Sequence, residues 1–303
     1  MVMYNPLIKE YRGRFGKGRT MDDIVDLVEE LPPMPDVIAH ALRLVDDANS
    51  TPEELADVIK LDPALASPIL RSANSASLGH QREVTTLALA ILLVGMGQVK
   101  TILVASALRR WNRKFGPVER LVWEKSIGAA SASYVLCQQL QKLYQDELYL
   151  TGLLHNLGQI VLLSNKEIGG EYPTVLDRIR ECNEDYVTAE REVIGFSHPL
   201  IGAMVAWKWG FAPSTCRAIL HYTDPFAGVS GEQDEKLGML KLAAGIGLSL
   251  GFGRPDGCAV EVKEELDRLA VLVGFNEDTL QKDLQAATSE IKTRFASEVG
   301  AYT

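Results

Sequence analysis

The segment with the clearest chemical potential reads Gly-Leu-Leu-His-Asn-Leu-Gly and spans residues 152–158. A histidine followed by an aspartate on a helix can hold a divalent metal ion, because the imidazole nitrogen and the carboxylate oxygens donate electron pairs. Here the residue after His155 is Asn156, which brings one neutral oxygen where an aspartate brings a negative charge and two ligand oxygens. The segment therefore has the form of a metal site that lacks one of the groups its chemistry needs.

The composition is that of a soluble globular protein. The chain has 303 residues, of which 47% are hydrophobic and 23% charged, so we expect one large or two medium domains. The net charge of -9 argues against a nucleic-acid partner, because phosphate binding needs concentrated lysine and arginine. The N-terminus is the exception, and its basic residues predict a basic flexible tail over residues 1–20.

The cysteines and the apolar stretches bear on the cellular compartment. The four cysteines lie far apart without metal-binding spacing, which is typical of reduced core thiols. No N-terminal stretch is apolar enough for a signal peptide. The most apolar region, residues 87–108, is interrupted by Gly95 and Lys100, and it predicts two buried helices. The sequence thus predicts a cytoplasmic protein with no membrane partner.

Helical periodicity runs through nearly the whole chain and predicts an all-α fold. Thr51, followed by Pro52 and Glu54, forms a capping box that marks one helix start. Asp62 before Pro63 marks a second helix start of the same kind. We therefore expect a helical bundle, with short connections between most of its helices.

The dipeptide Gly-Pro at 116–117 is the best candidate for a boundary between two packed helical subdomains. We predict an N-terminal helical subdomain over residues 21–115 and a second subdomain, with C-terminal helices, over residues 116–303. The second one contains long helical patterns, among them residues 147–165 and 173–195.

Two blocks of residues, in this order and spacing, carry a resemblance to a known family. The first block comprises residues 31–35 (Leu-Pro-Pro-Met-Pro), 61–65 (Leu-Asp-Pro-Ala-Leu) and 71–76 (Arg-Ser-Ala-Asn-Ser-Ala). The second block comprises residues 152–158, 198–202 (His-Pro-Leu-Ile-Gly), 207–210 (Trp-Lys-Trp-Gly) and 218–221 (Ala-Ile-Leu-His). The ordered set closely resembles the HDOD domain, a bacterial relative of the HD-domain phosphohydrolases, from about residue 21 to about residue 250.

The resemblance implies an HD-like fold for the second subdomain and a regulatory or scaffolding role in bacterial signalling. HDOD proteins look like HD hydrolases that have mostly lost metal and catalysis, and their ligands are poorly known. We therefore expect a pseudoenzyme with no catalytic residues and no cofactor. Its expected partner is a bacterial signalling protein.

The candidate residues of a ligand groove follow from matching the family's metal-binding pattern to this chain. An active HD site resembles a cluster of His and Asp side chains around metals that activate water. The first histidine of that pattern falls on Lys125, whose ammonium has no lone pair and would repel a cation. The His-Asp pair falls on His155 and Asn156. Later histidines of the pattern fall on His198 and His221.

Two alternatives to a non-catalytic module stay open. A divalent metal on His155, His198 and His221 would give a residual metal-dependent phosphohydrolase, since catalytic zinc can use three imidazoles and water. Against that alternative, the sequence offers no identifiable carboxylate or carbonyl to orient each imidazole. In the other alternative, Lys125 replaces the metal as the counter-charge to a phosphate, and the chain is a nucleotide-binding sensor.

Overall fold

The computed structural model describes residues 6–11, 13, 15–31, 34–74, 84–111, 116–182, 184–226, 228–255 and 263–302. Within these stretches all regular secondary structure is helical and none is strand, which confirms the predicted all-α fold. The chain divides into two compact units. Pro32–Trp111 form the smaller unit, and Met1–Leu31 together with Asn112–Thr303 form the larger one.

Most of the helices follow one another with short connections, as the following bounds show. In chain order they are α1 (Pro6–Glu10), α2 (Met21–Glu30), α3 (Asp36–Asp46), α4 (Pro52–Ile59), α5 (Pro63–Ala73), α6 (Leu87–Val94), α7 (Met96–Trp111), α8 (Pro117–Gln139), α9 (Gln145–Leu154), α10 (Leu157–Ser164), α11 (Tyr172–Cys182), α12 (Tyr186–Val193), α13 (His198–Lys208), α14 (Pro213–His221), α15 (Glu232–Ser249), α16 (Lys263–Leu272) and α17 (Leu280–Tyr302). Short 3-10 helices occupy Ile168–Gly170 and Glu277–Thr279.

Helices α4 and α5 of the smaller unit begin where the sequence predicts them. The backbone N–H of Glu54 donates to Thr51 Oγ1 at 3.2 Å, and the backbone N–H of Thr51 donates to the Glu54 carboxylate at 2.9 Å. In α5 the Asp62 carboxylate accepts a hydrogen bond from the backbone N–H of Ala64 at 3.1 Å. These contacts confirm both predicted helix starts.

Asn74, from the first motif block, holds the end of α5 to a later stretch of the same unit. Its side-chain amide donates to the carbonyl oxygen of Val84 at 2.9 Å, and its Oδ1 accepts from the backbone N–H of Val84 at 2.7 Å. The motif residue is therefore structural at this point. Four other residues of that block lie outside the described residues: Pro32, Pro33, Ser75 and Ala76.

Helices α6 and α7 cover the most apolar region of the sequence. Helix α7 is largely buried, with Val99 and Leu103 fully inaccessible to solvent. Helix α6 differs from the predicted buried helix, because Leu89 and Leu92 are 44% and 66% exposed. Helix α6 carries apolar side chains on all of its faces, so when one face packs against the unit, apolar residues of another face remain exposed to solvent. Among the described helices none is by itself long and apolar enough for a membrane crossing, and α6 and α7 meet those criteria only as a pair bent by 110°.

The segment predicted as a flexible tail contains helix α1, which packs against α13 and α14 of the larger unit. Leu7 is 1% exposed, so its apolar side chain is removed from water. At the end of the helix, Glu10 forms an ion pair with Arg217. These contacts explain why part of this segment is helical. Residues 1–5, 12 and 14 of the segment lie outside the described residues.

Helix α2 belongs to the larger unit, whereas the sequence groups it with the N-terminal subdomain. The ammonium of Lys208, at the end of α13, donates to the carbonyl oxygens of Val28 at 2.9 Å and Leu31 at 3.0 Å. These bonds satisfy carbonyl groups that the end of α2 would otherwise leave open. This long-range contact, which the local pattern does not reveal, attaches α2 to α13.

Helix α8 lies at the centre of the larger unit and packs against α9, α15 and α17. Its middle portion, residues 128–133, contains only glycine, alanine and serine and is buried. Small side chains allow neighbouring helices to approach closely. A Cβ atom on Gly152 would lie 2.9 Å from backbone atoms of Ala129 and Ala130, so α8 and α9 are nearly in backbone contact.

The His-Asn pair lies in a turn between α9 and α10, whereas the sequence predicts one helix over residues 147–165. Helix α9 ends at Leu154 and α10 begins at Leu157. A Cβ atom on Gly158 would lie 1.9 Å from the carbonyl oxygen of His198, so α10 runs against the start of α13. The turn and this close approach together bring the His-Asn pair next to α13.

The predicted helix over residues 173–195 is likewise two helices, α11 and α12. The Asp185 carboxylate caps α12 by accepting from the backbone N–H of Thr188 at 2.9 Å. The cap signal was present in the sequence, but the apolar periodicity on both sides of it continued and concealed the break. The new helix start gives α12 its own orientation, and its buried face includes Glu190.

Candidate functional site

Seven helices or helix ends of the larger unit contribute to one group of buried polar side chains, which we call the buried polar cluster. Four of the five predicted groove residues belong to it, and each is at most 5% exposed. The cluster consists of Lys125, His155, Asn156, Gln159, Tyr172, Glu190, His198 and Tyr222.

Glu190 is the main acceptor of the cluster. Its carboxylate accepts hydrogen bonds from Gln159 Nε2 at 3.0 Å, from the Tyr172 hydroxyl at 2.7 Å and from the backbone N–H of His198 at 2.8 Å. It therefore also caps the N-terminus of α13, where the helix dipole favours a negative charge. Burial raises the pKa of Glu190, but the nearby His198 and these hydrogen bonds outweigh burial and leave that pKa below its ordinary value. Glu190 is thus ionised at pH 7, although it is buried.

His198 is held at both ring nitrogens. Its Nδ1 lies 2.6 Å from the Glu190 carboxylate, and its Nε2 contacts the hydroxyl of Tyr222. Burial lowers the pKa of His198, and the opposing effect of Glu190 does not restore it. The ring is therefore neutral at pH 7, with Nδ1–H donating to Glu190 and Nε2 accepting from Tyr222. The Nε2 lone pair is engaged by this contact.

His155 has a partner at only one ring nitrogen. Its Nδ1 lies 2.5 Å from the carbonyl oxygen of Gly152. Burial, with a contribution from Lys125, holds the pKa of His155 well below its ordinary value, so the neutral ring donates Nδ1–H to that carbonyl. Its Nε2 and the Nδ2 of Asn156 are buried and have no hydrogen-bond partner among the described residues. Tyr222 lies edge-on to the ring, with the two centroids 5.0 Å apart.

Lys125 supplies the positive charge of the cluster. Its ammonium donates to Gln159 Oε1 at 3.3 Å and lies 4.2 Å from the centroid of the Tyr186 ring, a cation–π distance. Burial lowers the pKa of Lys125 to about 8, although Glu190 opposes that effect. At pH 7 the side chain therefore still carries its charge. Gln159 connects Lys125 to Glu190, because its Oε1 accepts from the Lys125 ammonium and its Nε2 donates to the Glu190 carboxylate.

His221 does not join the buried polar cluster. Its Nδ1 lies 2.7 Å from the Asp224 carboxylate, its Nε2 lies 3.6 Å from the Glu10 carboxylate, and its side chain is 26% exposed. The hydrogen bond to Asp224 raises the pKa of His221 above its ordinary value, despite partial burial. The set of His155, His198 and His221 that the sequence offered for a metal is thus divided between two places.

The cluster residues do not fit the divalent metal that HD-type relatives would hold. The ammonium of Lys125 repels cations, and the Nε2 lone pair of His198 accepts from Tyr222. His155 Nε2 leaves one imidazole lone pair, and a divalent ion needs several ligands. In the described part of the chain, no three His, Cys, Asp or Glu side chains are grouped so that they could hold a metal ion.

Four cluster residues are not among the five predicted groove residues: Glu190, Gln159, Tyr172 and Tyr222. The orienting groups that are not identifiable in the sequence are present in the structure, since Glu190 orients His198 and the Gly152 carbonyl orients His155. One signal was available in the sequence. Glu190 shares a helix face with Tyr186, four residues before it, and Val193, three residues after it, and all are buried. An acid on an apolar stripe indicates a buried partner.

Comparison with known proteins gives a consistent family. The model of the HDOD domain matches residues 31–225. An uncharacterized protein of Treponema pallidum (strain Nichols) is 24% identical over 216 residues, which is 67% of this chain. The matched region spans 40% of the length of that curated relative.

Three solved structures share the fold. A crystal structure of an HDOD domain protein from Geobacter sulfurreducens has a TM-score of 0.72 at 21% identity, covering 91% of this chain and 98% of that one. A provisionally named phosphohydrolase from Shewanella amazonensis SB2B has a TM-score of 0.64 at 25% identity, covering 90% and 97%. A provisionally named signal transduction protein from Marinobacter aquaeolei VT8 has a TM-score of 0.70 at 20% identity, covering 98% and 64%.

Proposed function

Because the chain belongs to the HDOD domain family, we propose that it is a non-catalytic regulatory module of bacterial signalling, which acts by binding a protein partner or sensing a small ligand. The observation that carries this proposal is the position of Lys125. Its ammonium is buried in the cluster that also contains His155, Asn156 and His198. A cation built into the fold therefore stands where the metal-binding pattern of the catalytic relatives has its first histidine.

The state of the other cluster residues supports the same proposal. Hydrolysis of a phosphoester needs an activated water and room for the substrate beside it. The cluster side chains are at most 8% exposed, and His198 bonds to Glu190 at one ring nitrogen and to Tyr222 at the other. The groups that could act as acid or base are therefore used as mutual hydrogen-bond partners in the interior.

The names of the relatives fit regulation but leave chemistry as an alternative. The protein from Marinobacter aquaeolei is provisionally named for signal transduction, and the one from Shewanella amazonensis is provisionally named a phosphohydrolase. A residual hydrolase would have to use His155, whose Nε2 lone pair is open, together with groups that are now engaged. We favour the regulatory function because the buried ammonium of Lys125, which is charged at pH 7, would repel a metal ion entering the same cluster.

An assay for phosphoester turnover tests the absence of catalysis. Tag-free protein is incubated at pH 8 with bis(p-nitrophenyl) phosphate and Mn²⁺, Fe²⁺ or Zn²⁺, beside metal-only blanks and the variants His198→Gln and His155→Gln. We expect the wild type to match the blanks and both variants. A metal-dependent rate that exceeds the blanks and is lost in both variants would show that the chain is an enzyme.

A nucleotide sensor is the second candidate, and two observations favour it. Lys125 is a cation, and His155 Nε2 and Asn156 Nδ2 have no partner among the described residues, so these groups could take part in binding a phosphate and a base. Lys125 is only 5% exposed, so a nucleotide would have to open the cluster before binding.

Thermal unfolding in the presence of nucleotides tests this second candidate. A ligand at about 100 times its Kd stabilises the fold by roughly 2.7 kcal/mol, which is readily measured as a rise in Tm. A rise in the wild type that is absent in Lys125→Met and retained in the exposed control Lys166→Met would establish the sensor. The absence of any rise across mono-, di- and cyclic nucleotides would refute it.

A further inference from the structure

A second polar site lies at the surface of the larger unit, on helix α14. Arg217 and His221 are one helical turn apart and both face Glu10 of α1. Arg217 Nε lies 3.2 Å from each Glu10 carboxylate oxygen, and its Nη2 lies 3.1 Å from Oε1. His221 Nε2 lies 3.6 Å from Oε2. A guanidinium fork and an imidazole thus converge on one carboxylate.

A cavity adjoins this pair of residues. It has a volume of about 120 Å³ and lies between α9, α14 and α15. Arg217 and His221 form one side of it, Thr151 and Thr215 add hydroxyl groups, and Leu148 adds an apolar surface. At roughly 30 Å³ per water molecule, the space holds about four waters or a molecule of a few carbon atoms.

The cations around the cavity differ in where their partners come from. Lys236 bonds to Glu147 and Glu232, both at 2.8 Å, and Glu147 belongs to the cavity wall itself. Arg217, by contrast, takes a carboxylate from 207 residues away, on the short helix α1. The carboxylate at this position is therefore supplied by another segment of the chain.

The orientation of His221 is fixed independently of Glu10. Its Nδ1 bonds to the Asp224 carboxylate at 2.7 Å, in the loop after α14, and this bond directs Nε2 toward Glu10. If the Glu10 carboxylate leaves, the bond to Asp224 still directs His221 Nε2 to the place where another anion can bind. The imidazole is therefore oriented before a ligand arrives.

We infer that Arg217 and His221, which line this cavity, form a carboxylate-binding site, that Glu10 pairs with both of them in the free chain, and that a small monocarboxylate displaces Glu10. The ligand's carboxylate binds to the guanidinium of Arg217 and the imidazole of His221, and the ligand's short carbon chain enters the cavity. This site is separate from the buried polar cluster, so the inference does not depend on whether that cluster is catalytic.

Two features make the Glu10 side chain displaceable. The Arg217 and Glu10 side chains are 49% and 31% exposed, and ion pairs of this exposure contribute little to stability. Leu7 anchors α1 separately, at 1% exposure, so only the Glu10 side chain has to move. The neighbouring acids Asp224 and Asp234 favour a monoanion over a phosphate, because repulsion between like charges grows with the ligand's charge.

The test uses the full chain and sodium propionate as the probe, with sodium chloride at equal ionic strength as the reference. Binding is followed through the ring proton resonances of His221 by NMR, assigned with His221→Gln. We expect weak binding to the wild type and at least about fivefold tighter binding to Glu10→Ala, because the internal competitor is removed. Glu181→Ala, which changes an exposed glutamate elsewhere, should bind as the wild type does.

Loss of the guanidinium supplies the opposite arm. Arg217→Gln should abolish propionate binding in both the wild-type and the Glu10→Ala backgrounds, with an unchanged far-UV spectrum as evidence of folding. The inference is overturned if Glu10→Ala shows no propionate response, or if its affinity equals that of the wild type. It is also overturned if inorganic phosphate binds Glu10→Ala more tightly than propionate does.

Discussion

The buried polar cluster contains His198, and the Arg217–His221 site contains His221. Both match histidines in the metal-binding pattern of the HD hydrolases, yet their pKa values are shifted in opposite directions. Burial lowers the pKa of His198, whereas the hydrogen bond to Asp224 raises that of His221. His198 is fully buried and takes its partners from the interior. His221 is partly exposed and takes one partner from helix α1. Two residues that look equivalent in a motif therefore have different chemical roles, and their surroundings decide which.

The largest expected effect is at the centre of the buried cluster. Glu190→Gln removes a charge that accepts from Gln159, Tyr172 and His198, and its amide N–H groups would face those donors. We expect the free energy of unfolding in urea to fall by roughly 3 to 5 kcal/mol. Glu192→Gln, on the exposed face of the same helix, should change it by less than about 0.5 kcal/mol. Equal effects of the two variants would contradict the central role of Glu190.

The next effect is the pH dependence caused by Lys125. Its pKa is about 8 in the folded chain and 10.5 as a free side chain, so above pH 8 the unfolded chain binds more protons. Stability from this group is therefore reduced below pH 8 and rises as the pH increases toward 10.5. Between pH 7 and pH 10 the wild type should gain roughly 2 to 3 kcal/mol relative to Lys125→Met.

Urea denaturation at the two pH values measures this gain. The exposed control Lys166→Met should keep the pH dependence of the wild type, because its ammonium stays in water in both states. A wild type and a Lys125→Met variant with parallel stability curves from pH 7 to pH 10 would mean that the Lys125 ammonium is not perturbed by burial.

A smaller effect is expected at the contact between Tyr222 and His198. Tyr222→Phe removes the hydroxyl that donates to His198 Nε2 and leaves that lone pair buried without its partner. We expect a loss of about 1 to 3 kcal/mol in the free energy of unfolding. Tyr134→Phe offers a comparison at a partly buried tyrosine outside the cluster. A loss in Tyr222→Phe no greater than in this comparison would show that Nε2 finds another donor.

The smallest effect belongs to the surface histidine and has the opposite dependence on pH to that of Lys125. The raised pKa of His221 means that its stabilising contribution is complete below the unfolded pKa and is lost as the pH rises through the folded pKa. His221→Gln should therefore cost up to about 1 kcal/mol at pH 5.5 and close to nothing at pH 8.5. A cost that grows with pH would contradict the ion pairs with Asp224 and Glu10.

Much of the fold follows from local signals in the sequence. The caps at Thr51 and Asp62 define the starts of α4 and α5, and Gly95 separates α6 from α7, because these residues act on neighbouring backbone groups. The attachment of α2 to α13 through Lys208 was not predictable, since it depends on carbonyl groups about 180 residues away.

The candidate site divides in the same way. The resemblance singled out Lys125, His155, Asn156 and His198, and the structure places them in one cluster. The sequence did not predict Glu190 as a site residue, because its partners come from three other helices and because the motif does not include it. The turn at His155 and Asn156 carries no glycine or proline, so the periodicity continued through a break that packing against α13 imposes.

The most direct test of the central claim is the free energy of unfolding of EDTA-treated wild type at pH 7, measured in urea with and without millimolar Mn²⁺. If the Lys125 ammonium is the built-in cation of the cluster, the two values should agree within about 0.5 kcal/mol. A gain of roughly 2.7 kcal/mol or more, as expected for an ion at 100 times its Kd, that disappears in His155→Gln would show that the cluster holds a metal.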